Sequence, residues 1–363
     1  MGDRMPMRPL TSVATALAFC ALVASWSQAV AVAAEPSGGL YPVGLRQIEY
    51  ADPEQPDRLV SLTLLPPAGP PMAGALPPRL PFFANLQLYR DAPIVADDTR
   101  RPLIVFSHGR GSNGLLYAWF GQYLAARGYL VAMINHYRAN SFDGTVIYYY
   151  GKLWQRPRDL SLIITALLED ERAGPHIDAT KIGVAGHSQG GFTALWLGGA
   201  RINPDRFLTY QRGWANNPML PPSLRAAMPI DAGPALDVHD PRVKAVFAMA
   251  PGDLPGFGMD ADGLRRLAVP TYIIVGDIDT QALPGENAEF AARHVPNATL
   301  DVLAPQVDHE IFTNECDQGG RDNWPEACID APGVDRALLH ERIGQAALHF
   351  FDASLKVRRA TAN

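Results

Sequence analysis

Cysteine is scarce in this sequence, with 3 in 363 residues. One of them, Cys20, lies in the N-terminal segment, which leaves Cys316 and Cys328 for the rest of the chain. Two cysteines without nearby histidines lack the ligands of a closed zinc site. No long basic run is present and the formal net charge is -6, which argues against nucleic acid as a partner. Beyond the N-terminus, no apolar run approaches the roughly 20 residues that a membrane span needs. No internal repeat is visible. Proline, by contrast, is abundant at 32 residues, and many fall between positions 66 and 102, which marks loop rather than a separate domain. Hydrophobic content of 47% and charged content of 19% suit a globular protein with a large buried core.

The first 34 residues read as a secretory signal peptide. Arg4 and Arg8 supply positive charge, an apolar run extends from Val13 to about Ser25, and Ala31-Val32-Ala33 forms a small-residue exit. A retained anchor is the alternative, but the run is short for a span. A lipoprotein reading of Cys20 meets bulky Phe19 where a small residue is needed. Export places residues 35–363 in an oxidising compartment, secreted or periplasmic, where the pair Cys316 and Cys328 predicts a disulfide.

The mature region alternates strands with helices. Strands are expected at Gln47–Tyr50, Val60–Leu65, Leu103–Phe106, Tyr129–Ile134, Lys181–Ala185, Ala245–Met249, Thr271–Val275 and Thr299–Leu303. Helices are expected at Leu116–Arg127, Pro157–Glu169, Gln189–Gly199 and about Val334–Leu355. Fully apolar strands between helices imply a mostly parallel sheet with helices on both faces, an α/β class. The Pro-rich stretch at about 202–243 breaks this rhythm. It reads equally as a cap over a site or as a surface loop.

One short run carries chemistry. Gly186-His187-Ser188-Gln189-Gly190 follows an apolar strand and opens a helix rich in small residues. A sharp strand-to-helix turn lifts a serine hydroxyl above a sheet, and the helix N-terminus turns its amides toward the reacting centre. Such a serine needs a base. His309 follows the last expected strand and fits. His340 and His349 fall in the terminal helix, His294 in the helix before the last strand, His176 and His239 in loops, and His136 precedes the serine. The acid that orients the histidine is assigned to Asp279, beyond the strand ending at Val275, with Asp253 and Asp277 as alternatives. An oxyanion needs two backbone amides. Gln189 supplies one. The turn His108-Gly109-Arg110-Gly111 supplies the other, through Arg110. A phosphate-binding loop is disfavoured at that turn, since no Lys-Ser or Lys-Thr follows at the required spacing.

These residues resemble the predicted dienelactone hydrolases that are similar to platelet-activating-factor acetylhydrolases. The matching pieces are Pro102–Gly109, Ile182–Gly191, Asp240–Ala245, Gly276–Asp279 and the pair Asp308-His309. The resemblance covers roughly residues 40 to 355. It implies an α/β-hydrolase fold and a Ser188–Asp279–His309 triad. True dienelactone hydrolases use a cysteine nucleophile, so dienelactone chemistry is not carried over to Ser188. In the acetylhydrolases the acid can follow the earlier strand, which keeps Asp253 open.

The reading is therefore a secreted serine hydrolase that cleaves carboxylic esters through an acyl-enzyme, with a small-molecule or lipid ester as partner. No metal and no cofactor is expected. Amide or peptide hydrolysis by the same triad is one alternative. A binding protein on an inert hydrolase fold is another. Trp119, Tyr148, Tyr149, Tyr150 and Trp154 are candidates for an acyl or aryl pocket, with core packing the commoner role for each.

Overall fold

The computed structural model describes residues 39–70, 76–77, 79–144, 152–227 and 237–355. The expected signal peptide, Cys20 and Tyr148 to Tyr150 lie outside the described residues.

Nine strands form one sheet: β1 (Val43–Asp52), β2 (Gln55–Leu65), β3 (Leu88–Arg90), β4 (Arg101–Ser107), β5 (Leu130–Asn135), β6 (Ile177–His187), β7 (Val243–Met249), β8 (Thr271–Gly276) and β9 (Ala298–Leu303). Their spatial order is β3-β1-β2-β5-β4-β6-β7-β8-β9. From β5 to β9 every pairing is parallel. Each parallel step needs a crossover, and helices supply most of them. Every residue of β4 is buried. A strand covered on both faces has no reason to alternate, which is why these segments are continuously apolar in sequence.

At the other end β1 and β2 pair antiparallel, and β2 joins β5 antiparallel. The outer half of β1 alternates between partly buried and exposed positions, as a strand with one wet face does. The three-residue β3 pairs with the start of β1. A run that short carries no period, so the sequence does not announce it.

Helices α1 (Ala118–Ala125), α2 (Gln155–Glu169) and α3 (Gln189–Gly198) cover the sheet with the terminal helix Arg336–Ser354. Leu160, Ile163, Ile164 and Leu167 of α2 are fully buried, at the spacing of one helical face. Fully burying such a side chain contributes about 1.5–3 kcal/mol. The stretch 202–243 contains helices Pro204–Ala215 and Pro222–Ala227. Asn203 caps the first by accepting from the Asp205 and Arg206 amides. Phe207 is buried beneath it, and Tyr210 meets Phe257 edge to face at 5.0 Å. None of its described residues lines the cleft that holds Ser188.

Cys316 and Cys328 form a disulfide with Cα atoms 5.5 Å apart. It closes a small helical hairpin, Gln318–Asn323 and Pro325–Cys328. Among the described residues no helix is long and apolar enough to cross a membrane.

Candidate active site

Ser188 sits between β6 and α3 with φ 57° and ψ -122°, a left-handed conformation that a serine adopts at a cost. The surroundings hold it there. Its amide donates to the Met249 carbonyl at 2.9 Å, and its carbonyl accepts from Gly252 at 3.2 Å and Phe192 at 3.0 Å. A side chain at Gly190 would collide with the Ser107 carbonyl, so the close approach of α3 to β4 requires glycine at that position. Ser188 is half-buried and lines a cavity of about 680 Å³.

His309 opens the short helix His309–Phe312, beyond β9. Its segment lies so close to the end of β8 that a Cβ at Gly276 would strike the Val307 carbonyl. That contact brings His309 beside the loop after β8. There His309 Nδ1 lies 2.6 Å from Asp279 Oδ2. Asp279 Oδ1 accepts from the amides of Gln281 at 2.9 Å and Ala282 at 2.7 Å. The carboxylate is therefore fixed on one side by backbone and presents its other oxygen to the imidazole. A proton on Nδ1 leaves Nε2 as the basic nitrogen. Both side chains are nearly inaccessible, at 2% and 0% exposure, while Ser188 opens to the cavity.

The two alternative acids stand elsewhere. Asp277 accepts from the amides of Gln306 at 3.2 Å and Val307 at 2.8 Å, so it shapes the turn. Asp253 lines the cleft wall, where desolvation raises its carboxyl above the ordinary range and the Arg110 charge opposes that.

Arg110 and Gln189 both line the cavity with Ser188. Their two segments are joined from below by one buried side chain. Arg156, near the start of α2, donates through Nη2 to the His108 carbonyl and through Nε to Thr193 Oγ1 at 3.3 Å. Thr193 in turn donates to the Gln189 carbonyl at 2.7 Å. One guanidinium thus spans from the Gly-rich turn to the first turn of α3. Beside it Ser107 Oγ lies 2.8 Å from His136 Nε2, and His136 Nδ1 lies 2.9 Å from Asp159. Asp159 also pairs with Arg58. This is a second Ser–His–Asp array, but its members are at most 1% exposed, so no substrate reaches it. It braces the end of β4. Burial pushes His136 and His108 well below the ordinary histidine range, and the Arg156 charge adds to that.

His187 holds the other side. Its ring centroid lies 4.5 Å from that of His309. His187 Nε2–H donates to the His309 carbonyl at 3.1 Å, and Nδ1 then accepts from the Tyr117 hydroxyl at 3.0 Å. Trp119 anchors the same segment. It donates to the Phe312 carbonyl at 2.8 Å and stacks on His340 at 3.8 Å. Sequence reasoning missed Arg156, Asp159 and Tyr117 altogether, and weighed His136 only as a rival base. His187 stands inside the serine motif, yet nothing in a single sequence marks its contact with His309.

Of the aromatic candidates, Trp119 and Trp154 take the commoner role, core packing: they are buried and do not line the cavity, whereas Phe82, Phe83, Phe142 and Trp324 do. Trp119 is drawn into the core by its hydrogen bond and its stack, and Trp154 lies under Arg158. Among the described residues no group of three or more His, Cys, Asp or Glu side chains is placed to hold a metal ion.

The sheet order, the parallel crossovers and the serine turn between β6 and α3 define an α/β-hydrolase fold. The backbone is similar to that of a ferulic acid esterase from Streptomyces cinnamoneus, with a TM-score of 0.55, 20% identity, and coverage of 91% of this chain and 94% of that one. Residues 84–171 match the family described as platelet-activating factor acetylhydrolase, isoform II. A further match, 33% identical over 125 residues, is to the uncharacterized peptidase YuxL of Bacillus subtilis (strain 168). It covers 33% of this chain and 18% of that protein. The chain thus has an α/β-hydrolase fold and, over residues 84–171, is similar to the platelet-activating-factor acetylhydrolases.

Proposed function

We propose that this protein is an exported serine hydrolase that cleaves carboxylic esters through an acyl-enzyme. The observation that carries the proposal is Ser188 on a left-handed turn, lining one cavity with His309, whose Nδ1 is bound to Asp279. Ser188 attacks the ester carbonyl and His309 Nε2 takes its proton. The amides of Arg110 and Gln189 receive the developing oxyanion. The proton passes to the departing alcohol. Water, activated by His309, then releases the acid. Asp279, accepting from Nδ1–H, orients the ring and stabilises the imidazolium that forms. The ester reading is also supported by the activities for which the acetylhydrolase family and the ferulic acid esterase are named. Export rests on the N-terminal signal pattern and agrees with the disulfide. The mature chain, 35–363, is read as one hydrolase domain.

A second reading is amide or peptide hydrolysis with the same groups, favoured by the match to a protein named as a peptidase. Matched ester and anilide substrates of one acyl group separate the two. Faster ester turnover, abolished in Ser188→Ala, is the expected result. Faster anilide turnover would favour the peptidase. Failure of a fluorophosphonate to label Ser188 in folded protein would point to an inert fold.

A further inference from the structure

Among the described residues, three Phe and Trp side chains are left exposed: Phe82, Phe142 and Trp324. All three line the cavity that contains Ser188. Chance scatter would spread exposed aromatics over the surface, and convergence on one concave site is the mark of a binding surface. Two of them form a built wall. The rings of Phe82 and Trp324 meet edge to face, with centroids 4.8 Å apart and planes at 70°.

Separate pieces of chain supply this pair, and both are pinned. Phe82 comes from the loop before β3. Its backbone is left-handed at φ 73°, which is strained for a bulky side chain. Hydrogen bonds hold that conformation: the Asp317 amide donates to the Phe82 carbonyl at 3.0 Å, and the Ala84 amide to the Glu315 carbonyl at 2.9 Å. Trp324 joins the two helices of the hairpin closed by Cys316–Cys328, and both half-cystines also line the cavity. Strain and a covalent clip thus maintain two rings in water, where hydrophobicity alone would bury them.

We propose that Phe82 and Trp324 form a subsite for an aromatic ring of the substrate, so that the preferred esters carry an aryl group. This inference rests on the ester-hydrolase reading. Continuity with the nucleophile fixes the occupant as part of the molecule whose carbonyl reaches Ser188. The cavity, about 680 Å³, has the size of a small-molecule site. Two rings already at an edge-to-face angle offer a third ring both a face and an edge, the arrangements that aromatic quadrupoles favour. A saturated ring of the same volume gains the burial but not that complementarity.

The test compares ethyl 3-phenylpropanoate with ethyl 3-cyclohexylpropanoate, and 3-phenylpropyl acetate with 3-cyclohexylpropyl acetate. The two pairs place the ring on the acyl and the alcohol side. For at least one pair the aryl ester is expected to show the higher kcat/KM. In Trp324→Leu the aryl-to-cyclohexyl ratio should fall about three- to tenfold, chiefly through KM. Phe82→Leu should lower the same ratio and guards against misfolding of the hairpin variant. Equal kcat/KM within both pairs, or a ratio unchanged in both variants, would overturn the subsite. No hydrolysis of any of the four esters by a wild-type protein that still reacts with fluorophosphonate would instead refute the ester reading, and the subsite with it.

Discussion

Asp279→Asn is the sharpest perturbation of the proposed chemistry, because the structure dictates which way the new amide must point. Asp279 Oδ1 accepts two backbone N–H groups, from Gln281 and Ala282. An asparagine keeps its oxygen there. Turned around, its NH2 would face two donors, and leaving those N–H groups unmet costs about 1–3 kcal/mol each. The NH2 therefore faces His309 Nδ1, which lies 2.6 Å from the second oxygen. Nδ1 must then accept rather than donate, and the ring proton moves to Nε2. Nε2 no longer takes a proton from Ser188. The expected loss in kcat is about 10⁴-fold, or about 5.5 kcal/mol in the barrier. Both backbone hydrogen bonds survive, so the melting temperature should move little. The assay is steady-state hydrolysis of an activated ester at neutral pH, alongside Asp253→Asn and Asp277→Asn and thermal melts of all three. If Asp279→Asn kept more than about a tenth of wild-type kcat, the tautomer reasoning would fail. If only Asp253→Asn lost activity, the acid would belong after β7.

Three other outcomes are expected. Arg156→Met cuts the tie from the His108 carbonyl to α3, and displacing the proposed oxyanion amides should lower kcat about 10²-fold with KM nearly unchanged; a kcat within twofold of wild type would show that the turn holds itself. Burial pushes four histidines below their ordinary range, namely His108, His136, His187 and His340, the last to about 3. Below about pH 6.5 the unfolded chain binds protons at these sites and the native state does not, so their stability is fully present above that pH and is lost as pH falls. Asp159 is raised to about 6 by burial and offsets part of this, because its native form binds the extra proton. Urea melts should give a lower midpoint at ~pH 5.5 than at ~pH 7.5, with a difference on the order of a few kcal/mol, and equal midpoints would contradict the assignment of neutral buried imidazoles. Replacing Cys316 and Cys328 together by serine frees a hairpin whose ends are 12 residues apart and should lower stability by about 2–4 kcal/mol, read by calorimetry. The same variant should raise KM for aryl esters, since the hairpin carries Trp324 into the cleft.

The sequence by itself determined the parallel core of the sheet and the chain order of the proposed site residues. Continuous apolar runs such as Leu103–Phe106 can be satisfied only with both faces covered, so the parallel core was legible at a glance. Gly186, Ser188 and Gly190 are local requirements of one sharp turn, and local requirements leave a local signature. The cysteine pair was legible because, in a chain read as exported, an even pair has few other fates. The sequence also ranked Asp279 first among three acids without separating them. That separation is tertiary. Asp277, Asp279 and Asp253 look alike in one dimension, and only the packing of the Val307–His309 segment against Gly276 puts the Asp279 carboxylate beside the imidazole.

The cleft wall is tertiary too. Trp119 and Trp324 are equally apolar in sequence. One finds a carbonyl and a histidine to stack on inside the core, while the other is held out by a disulfide-closed hairpin. Arg156 and His187 show the same division, since a buried polar side chain is placed by partners far away in the chain. Local pattern therefore accounts for what each segment is. Long-range contacts decide what each side chain faces, because burial and hydrogen-bond partners exist only once the segments have met.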